Sequence, residues 1–270
     1  TSLEQNSYRK QINSVYGAVN VGWKHLVYLD ATLRGDQSST LPIGNNVYVY
    51  PSFSGSFVFS ELLKQSDLMP YGKFRLSWAQ VGSDTDPYQL GLVYSKSKFT
   101  YPGYTIGYIN NSTMPNKNLK PTKTNSFELG LEMKFLKNRI GLDFTYYTQN
   151  SKNQIMGMAS SWTSGYNYRL INAGEIENKG IEIALNTRPI ELKDFSWDLN
   201  LNFSKNSNKV KKLVDGMDMF ELEKAAWLDV QVAAKVGENF GAIVGPDFKR
   251  NENGDILIDP QTGLPQYDKS

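Results

Sequence analysis

Eight times along this chain, apolar and polar residues alternate with a period of two, and that pattern leaves few architectures open. In the clearest segment, Phe127, Leu129, Leu131, Met133 and Phe135 alternate with Glu128, Gly130, Glu132 and Lys134. The same rhythm runs through residues 15–23, 27–34, 53–59, 74–78, 140–146, 181–185 and 195–203. Apolar residues fall at i+2 rather than at i+3 and i+4, so helices are excluded and an all-β, antiparallel fold is expected.

The connections carry the second signal. Short turns are expected at Lys24-His25, at Leu136-Lys137-Asn138 and across 188–193, with a somewhat longer one over 62–70. Between them lie long polar segments at 35–46, 82–125, 151–172 and from 206 onward. Short and long connections therefore alternate, as they do in membrane barrels with tight periplasmic turns and long extracellular loops. A soluble sandwich or up-and-down barrel also alternates. Against it stand strands of about ten residues, above the soluble norm of five or six. Loops of more than about twenty residues are also uncommon in compact soluble domains. Aromatics crowd the strand ends (Trp23, Tyr48, Tyr50, Trp78, Phe135, Tyr146, Tyr147 and Phe195), where an interfacial girdle would lie.

Composition agrees with strands that have one apolar and one polar face. Aromatics make up 13% of the chain while mean hydropathy is -0.46. No run approaches the roughly 18 apolar residues of a membrane helix, which says nothing about strands. A net charge of +2 gives no reason to expect nucleic acid as a partner. There are no cysteines, so disulfides and thiol chemistry are ruled out. In a barrel, Arg34, Arg75, Glu128, Glu132, Asp143, Glu182 and Asp198 are expected to face the wet lumen, since charge on the lipid face is costly.

Catalytic chemistry is not expected. His25 is the only histidine and falls in a turn, so neither a Ser/His/Asp triad nor a histidine metal site can be built around more than one residue. Residues 249–260 superficially resemble a calcium loop. Placing Gly254 sixth, however, puts Lys249 first and Pro260 twelfth, where carboxylates belong. Asn253-Gly254 reads better as a hairpin turn between Phe248 and Ile256-Ile258. The pairs Glu128/Glu132 and Glu175/Glu177 could pass for glycosidase acids. Their spacing instead puts each pair on one strand face, expected to be a solvated lumen wall. No motif requires a cofactor or a metal.

Several phrases now read together: Arg34-Gly35-Asp36-Gln37-Ser38, Tyr50-Pro51-Ser52, Gly72-Lys73-Phe74-Arg75-Leu76-Ser77-Trp78, Leu119-Lys120-Pro121, Asn138-Arg139-Ile140-Gly141 and Asn172-Ala173-Gly174-Glu175-Ile176-Glu177-Asn178-Lys179-Gly180. In this order they resemble the later barrel strands of SusC/RagA-type TonB-dependent transporters of Bacteroidota. The resemblance implies an outer-membrane barrel of about 22 strands closed by a plug, of which these eight form a segment. It also implies a SusD-like substrate-binding lipoprotein as lid, and TonB acting through a plug outside this sequence. The function implied is active import of oligomeric nutrients, by default glycan oligosaccharides. A peptide importer of the same family, or a non-transporting barrel such as a passive porin or adhesin, is the alternative.

Residues 1–205 are then expected to hold the membrane strands and 206–270 an extracellular loop and hairpin region. Thr1-Ser2-Leu3-Glu4 carries no basic or apolar leader, so the start of an exported protein is expected to lie outside the sequence. Substrate or lid contacts are expected from loop aromatics, Tyr101, Tyr104 and Tyr108 in one loop and Trp162, Tyr166 and Tyr168 in the other. Such rings offer flat apolar faces with a polar tip, which suits a sugar or a protein interface. Packing of the loops on each other is the plainer alternative.

Overall fold

A computed structural model describes residues 7–63, 68–92, 94–96, 101–109, 113–224 and 230–268. Of Tyr94, Ser95, Ile109 and Trp162 it describes the backbone only. The eight alternating segments form one eight-stranded sheet in chain order. Its strands are β1 (Ile12–Trp23), β2 (Val27–Ser38), β3 (Val47–Phe57), β4 (Tyr71–Ser83), β5 (Thr122–Phe135), β6 (Ile140–Lys152), β7 (Glu175–Glu191) and β8 (Ser196–Lys212). From β1 to β7 every pairing is antiparallel between sequence neighbours, and β8 lies beside β7.

Several strands outrun the alternation that announced them. β2 continues to Ser38 and β5 begins at Thr122, so the start of the expected 35–46 loop and the end of the expected 82–125 loop are strand. Backbone pairing needs no apolar face, and the ladder continues where both faces turn polar. Conversely, β3 stops at Phe57, and Phe59 opens a short 3₁₀ turn over Phe59–Leu62. The last short turn is also displaced. Arg188 stays in β7, and the chain reverses where the Leu192 N–H donates to the Phe195 carbonyl at 2.7 Å. At the first turn Lys24 and His25 take left-handed φ of 49° and 55°, the geometry that matches hairpin twist. Leu136, Lys137 and Asn138 do the same at 51°, 56° and 69°.

Register sorts the side chains into two faces. One hydrogen-bonded row runs Ala31, Phe53, Trp78, Phe127, Thr148, Lys179, and its neighbour runs Leu29, Gly55, Leu76, Leu129, Tyr146, Ile181. Phe53 and Trp78 stack with ring centroids 6.0 Å apart. Opposite them runs a polar row, Ser56, Arg75, Gly130, Thr145, Glu182. A slip of one residue in any strand would exchange the faces, so a row this consistent pins the register.

Two glycines let polar side chains cross a strand. Arg75 on β4 lies over Gly130 of β5 and reaches Asp143 on β6, and a Cβ on Gly130 would sit 2.7 Å from the guanidine Nε. Tyr147 on β6 lies over Gly180 of β7 and its hydroxyl donates to Asn206 Oδ1 on β8 at 3.2 Å. A Cβ on Gly180 would meet the backbone oxygen of Lys205 at 2.5 Å, which no rotamer change relieves. Gly180→Ala should therefore lower stability by about 1–3 kcal/mol. Gly17→Ala, with nothing within 4 Å, should leave it unchanged or raise it by up to about 1 kcal/mol. Denaturant unfolding of the refolded full-length receptor in lipid tests this, and equal effects of the two changes would refute the crossing role.

By internal contacts the chain divides into Thr1–Asn208 and Lys209–Ser270. The second unit holds β9 (Met219–Lys224), β10 (Gln231–Lys235) and β11 (Phe240–Val244), one antiparallel sheet. Its core is Val210, Leu213 and Ala234. Asn253-Gly254 does form a turn, closed by an Arg250–Ile256 bridge with Gly254 at φ 88°. The hairpin is extended where the Leu257 N–H donates to the Lys249 carbonyl at 2.8 Å, and Phe248 pairs in addition with Tyr267, rings 5.0 Å apart, because the chain returns once more after Ile258.

Candidate functional site: the polar face and the long-loop end

The seven charged residues assigned to a wet wall all lie on the polar face. Arg75 donates to both oxygens of Asp143, at 2.7 and 3.0 Å. Arg188 does the same to Asp198 at 2.7 and 3.2 Å, beside the short turns. Arg34 donates to Asp36 at 2.9 Å and to Ser14 at 3.0 Å, and Tyr50 hydroxyl donates to the other oxygen of Asp36. Glu132 is opposite Lys73 and Asp143, Glu128 opposite Ser77, and Glu182 opposite Thr145. Asp30, Lys73, Arg75, Glu128, Thr145 and Glu182 line one open trough. It carries both charge signs, and among the described residues no acidic group gathers as a metal site would require.

Glu175 and Glu177 belong elsewhere. They share the face of Ile181 and Ile183, opposite Lys152 and Asn150, and not the face of Glu128. β7 passes from apolar to polar at Lys179 without changing parity, so counting by two from Ile181 carries charge onto the apolar side. Asn150 donates to Glu175 at 2.6 Å and Lys152 pairs with the same carboxylate at 3.5 Å.

At the long-loop end the connections pack into a small core of their own. Leu41, Leu119 and Leu170 are buried there, with Tyr48, Leu90 and Ile155 against them. The Asn172 side chain accepts from Lys120 N–H at 2.8 Å and donates to Lys120 O at 2.7 Å and Asn153 O at 3.0 Å. Asp84, with its side chain 10% exposed, accepts hydrogen bonds from Ser38, Thr40 at 3.0 Å and Lys10 at 2.6 Å. Neither cluster follows from periodicity. For Leu119 the one available signal was an isolated leucine inside an Asn-Leu-Lys-Pro phrase.

Desolvation alone would raise the Asp84 pKa, but the hydrogen bonds from Lys10, Ser38 and Thr40 outweigh it and hold it below the usual range. A depressed folded pKa gives stability that is present above the unfolded value of about 3.9 and is lost as pH falls through the folded value. The tie between residues 10, 38–40 and 84 should thus loosen only in acid, and Asp84→Asn should remove that dependence. Hydrogen exchange at Thr40, followed from neutral pH downward, would expose a fault in this reading if the variant kept the acid-induced opening.

The loop aromatics fall on two short hairpins. Tyr101 and Tyr104 close a turn, Tyr104 N–H donating to Tyr101 O at 2.9 Å with Gly103 between them at φ 85°. Their side chains are 68% and 73% exposed, and Tyr108 on the strand Gly107–Ile109 is also exposed. Tyr168 is exposed on Tyr168–Asn172, which pairs with Ile155–Ala159. Tyr166 is half-buried, and the Trp162 side chain lies outside the described residues. Tyr101 and Tyr104 are thus the most exposed of these residues, and Tyr108 and Tyr168 are about half exposed.

The family model for the TonB dependent receptor-like β-barrel matches residues 2–222. The chain belongs to that family. Its members are outer-membrane barrels that transport rather than catalyse. TonB-dependent receptor P3 of Formosa agariphila is 29% identical over 256 residues, covering 92% of this chain and 26% of that protein. TonB-dependent receptor SusC of Bacteroides thetaiotaomicron is 29% identical over 225 residues, 80% of this chain and 22% of that one. In fold, the chain is similar to the structure of the RagAB peptide transporter. The TM-score is 0.79 at 20% identity, over 96% of this chain and 27% of the other. It is thus a barrel segment of SusC/RagA type that spans about a quarter of the length of these relatives.

Proposed function

We propose that the chain forms part of the wall of a TonB-driven importer that carries oligomeric nutrients across the outer membrane under a SusD-like lipoprotein lid. The observation that carries this reading is the two-faced register held across the eight-stranded sheet. Along β5 the apolar row from Phe127 to Phe135 runs eight steps of about 3.4 Å, roughly 27 Å along the strand. At a tilt of about 40° this is roughly 21 Å of height, close to the apolar band of an outer-membrane barrel. Phe127, Leu129, Leu131, Phe195, Trp197, Leu199 and Leu201 then face lipid. Arg34, Arg75, Glu128, Glu132, Asp143, Glu182, Asp198 and Asn200 face the lumen.

The long connections and residues 206–270 are taken as extracellular, and the short turns as periplasmic. Surface proteolysis of intact cells should reach tags near Gly103 and Gly254 and spare one at Lys137; the reverse pattern would invert the barrel. Oligosaccharide is the preferred cargo, as the resemblance to the SusC/RagA family implies, while the fold likeness to a peptide transporter keeps peptide as the second reading. In cells with the complete receptor, uptake of labelled oligosaccharide should stop when a protonophore removes the driving force. Uptake indifferent to it would mark a passive barrel, and protonophore-sensitive uptake of peptides alone would favour the second reading.

Contacts with cargo or lid are assigned to Tyr101, Tyr104, Tyr108, Trp162, Tyr166 and Tyr168, the lid having the larger share. Tyr104→Ala with Tyr166→Ala should weaken lid binding about tenfold, as loss of aromatic anchors does. Unchanged lid affinity and unchanged uptake at normal surface expression would withdraw the assignment.

A further inference from the structure

The aromatic edge of the apolar face is interrupted on one side. In the row that runs Phe53, Trp78, Phe127, Thr148, Lys179, three rings on β3 to β5 give way to a hydroxyl on β6 and an ammonium on β7. The next strand repeats the change, since β8 follows Trp197, Leu199, Leu201 and Phe203 with Lys205 on the same parity. The two lysines are close, because the Lys205 carbonyl lies against Gly180, the residue after Lys179. Both side chains are exposed, and among the described residues no carboxylate lies within ion-pair range of either, whereas neighbouring Lys152 is taken by Glu175. On β1, β2, β4 and β5 the first polar positions beyond the apolar row are Asn13, Gln37, Gln80 and Asn125, so a lysine directly beyond that row is found on β7 and β8; Lys123 of β5 and Lys152 of β6 lie further out, opposite each other.

We propose that Lys179 and Lys205, with the Thr148 hydroxyl, bind the phosphate of an anionic lipid headgroup at the long-loop end of the barrel. The inference rests on the lipid-facing assignment made above. Strands about 4.8 Å apart place two ammonium groups within reach of one phosphate. The adjoining apolar rows, Tyr146 and Ile181 on one side and Leu201 and Phe203 on the other, lie where the acyl chains of the same lipid would run. With the long loops outside, the ligand is a phosphate-bearing glycolipid of the outer leaflet. Lysine stems covering apolar surface while the ammonium reaches the headgroup are the expected geometry.

The test uses the complete receptor purified in neutral detergent, with and without Lys179→Gln and Lys205→Gln together. Native mass spectrometry after adding bisphosphorylated lipid A should show about a tenfold loss of bound lipid in the double variant, each basic group near an anionic surface contributing several-fold. Dephosphorylated lipid A should bind both proteins equally, and inorganic phosphate neither. Equal retention of lipid A by both proteins, or capture of free phosphate as strong as capture of lipid, overturns the proposal. A bimane on Leu129→Cys, quenched by bromine-tailed lipid, checks the face separately. Normal quenching with unchanged lipid binding removes the phosphate site alone, and absent quenching removes the facing assignment beneath it.

Discussion

Replacing Leu131 with Arg should destabilise the barrel by about 2–4 kcal/mol, the cost of a basic side chain held at mid-membrane depth on a lipid face. Leu131 sits between Phe74 and Phe144 in the middle of the apolar row, four residues from both Phe127 and Phe135. It is too far from either end of the row for an arginine to reach water without bending its stem along neighbouring strands. Glu128 is the matched control, three residues away on the opposite face. Glu128→Ala should change stability by less than about 1 kcal/mol, because a solvated charge opposite Ser77 and Tyr147 gives up little. Urea titration of the refolded full-length receptor in lipid vesicles measures both, and the yield of folded receptor in cell envelopes should follow the same order. If the arginine is tolerated and the alanine is not, the faces have been assigned the wrong way round.

The sheet was legible because two demands coincide on it. Lipid on one side and water on the other force strict alternation, and alternation over eight segments gives strand order once the turns are short. Where only one demand acts, reading by parity drifts. Lys152, Glu175 and Glu177 lie beyond the apolar row, so nothing in their residue types reveals which face they join. The same holds for the ends of β2 and β7, which continue as strand on backbone pairing alone. Arg188 was read as turn, yet it and Pro189 lie in β7, since a proline at the outer end of a strand removes only one donor.

The loops were legible only as long and polar. Their order comes from contacts between segments far apart in sequence, as in Lys10 with Asp84 or Asn172 with Lys120. No local pattern encodes such a pairing. Aromatic content pointed to Tyr101, Tyr104, Tyr108 and Tyr168, whose rings are at least half exposed or nearly so. It did not reveal that leucines, not tyrosines, hold the loops together.

That division makes Leu119 the sharper probe of the loop end. Its side chain is 0% exposed and meets Leu41 from the connection after β2 and Leu170 from the strand before β7. Leu119→Ala should cost about 2–5 kcal/mol, transfer of the lost atoms plus the cavity left behind. The loss should be largely local, because the sheet below is held by its own ladder and meets this cluster through Tyr48 at the outer end of β3. Hydrogen exchange should therefore accelerate at Leu170, Ala173 and Asn172 by a factor of thirty or more, about 2 kcal/mol at the lower bound, while Leu129 and Phe144 stay protected. Tyr104→Ala gives the contrast, since a ring 73% exposed should leave exchange unchanged wherever it is read. Should both variants weaken lid binding, only Leu119→Ala should do so with loosened loops, which separates a surface that touches the partner from a core that presents it. Exchange unaltered by Leu119→Ala would mean the three leucines are neighbours without being a core, and the loop order would have to come from Asn172 and Asp84 instead.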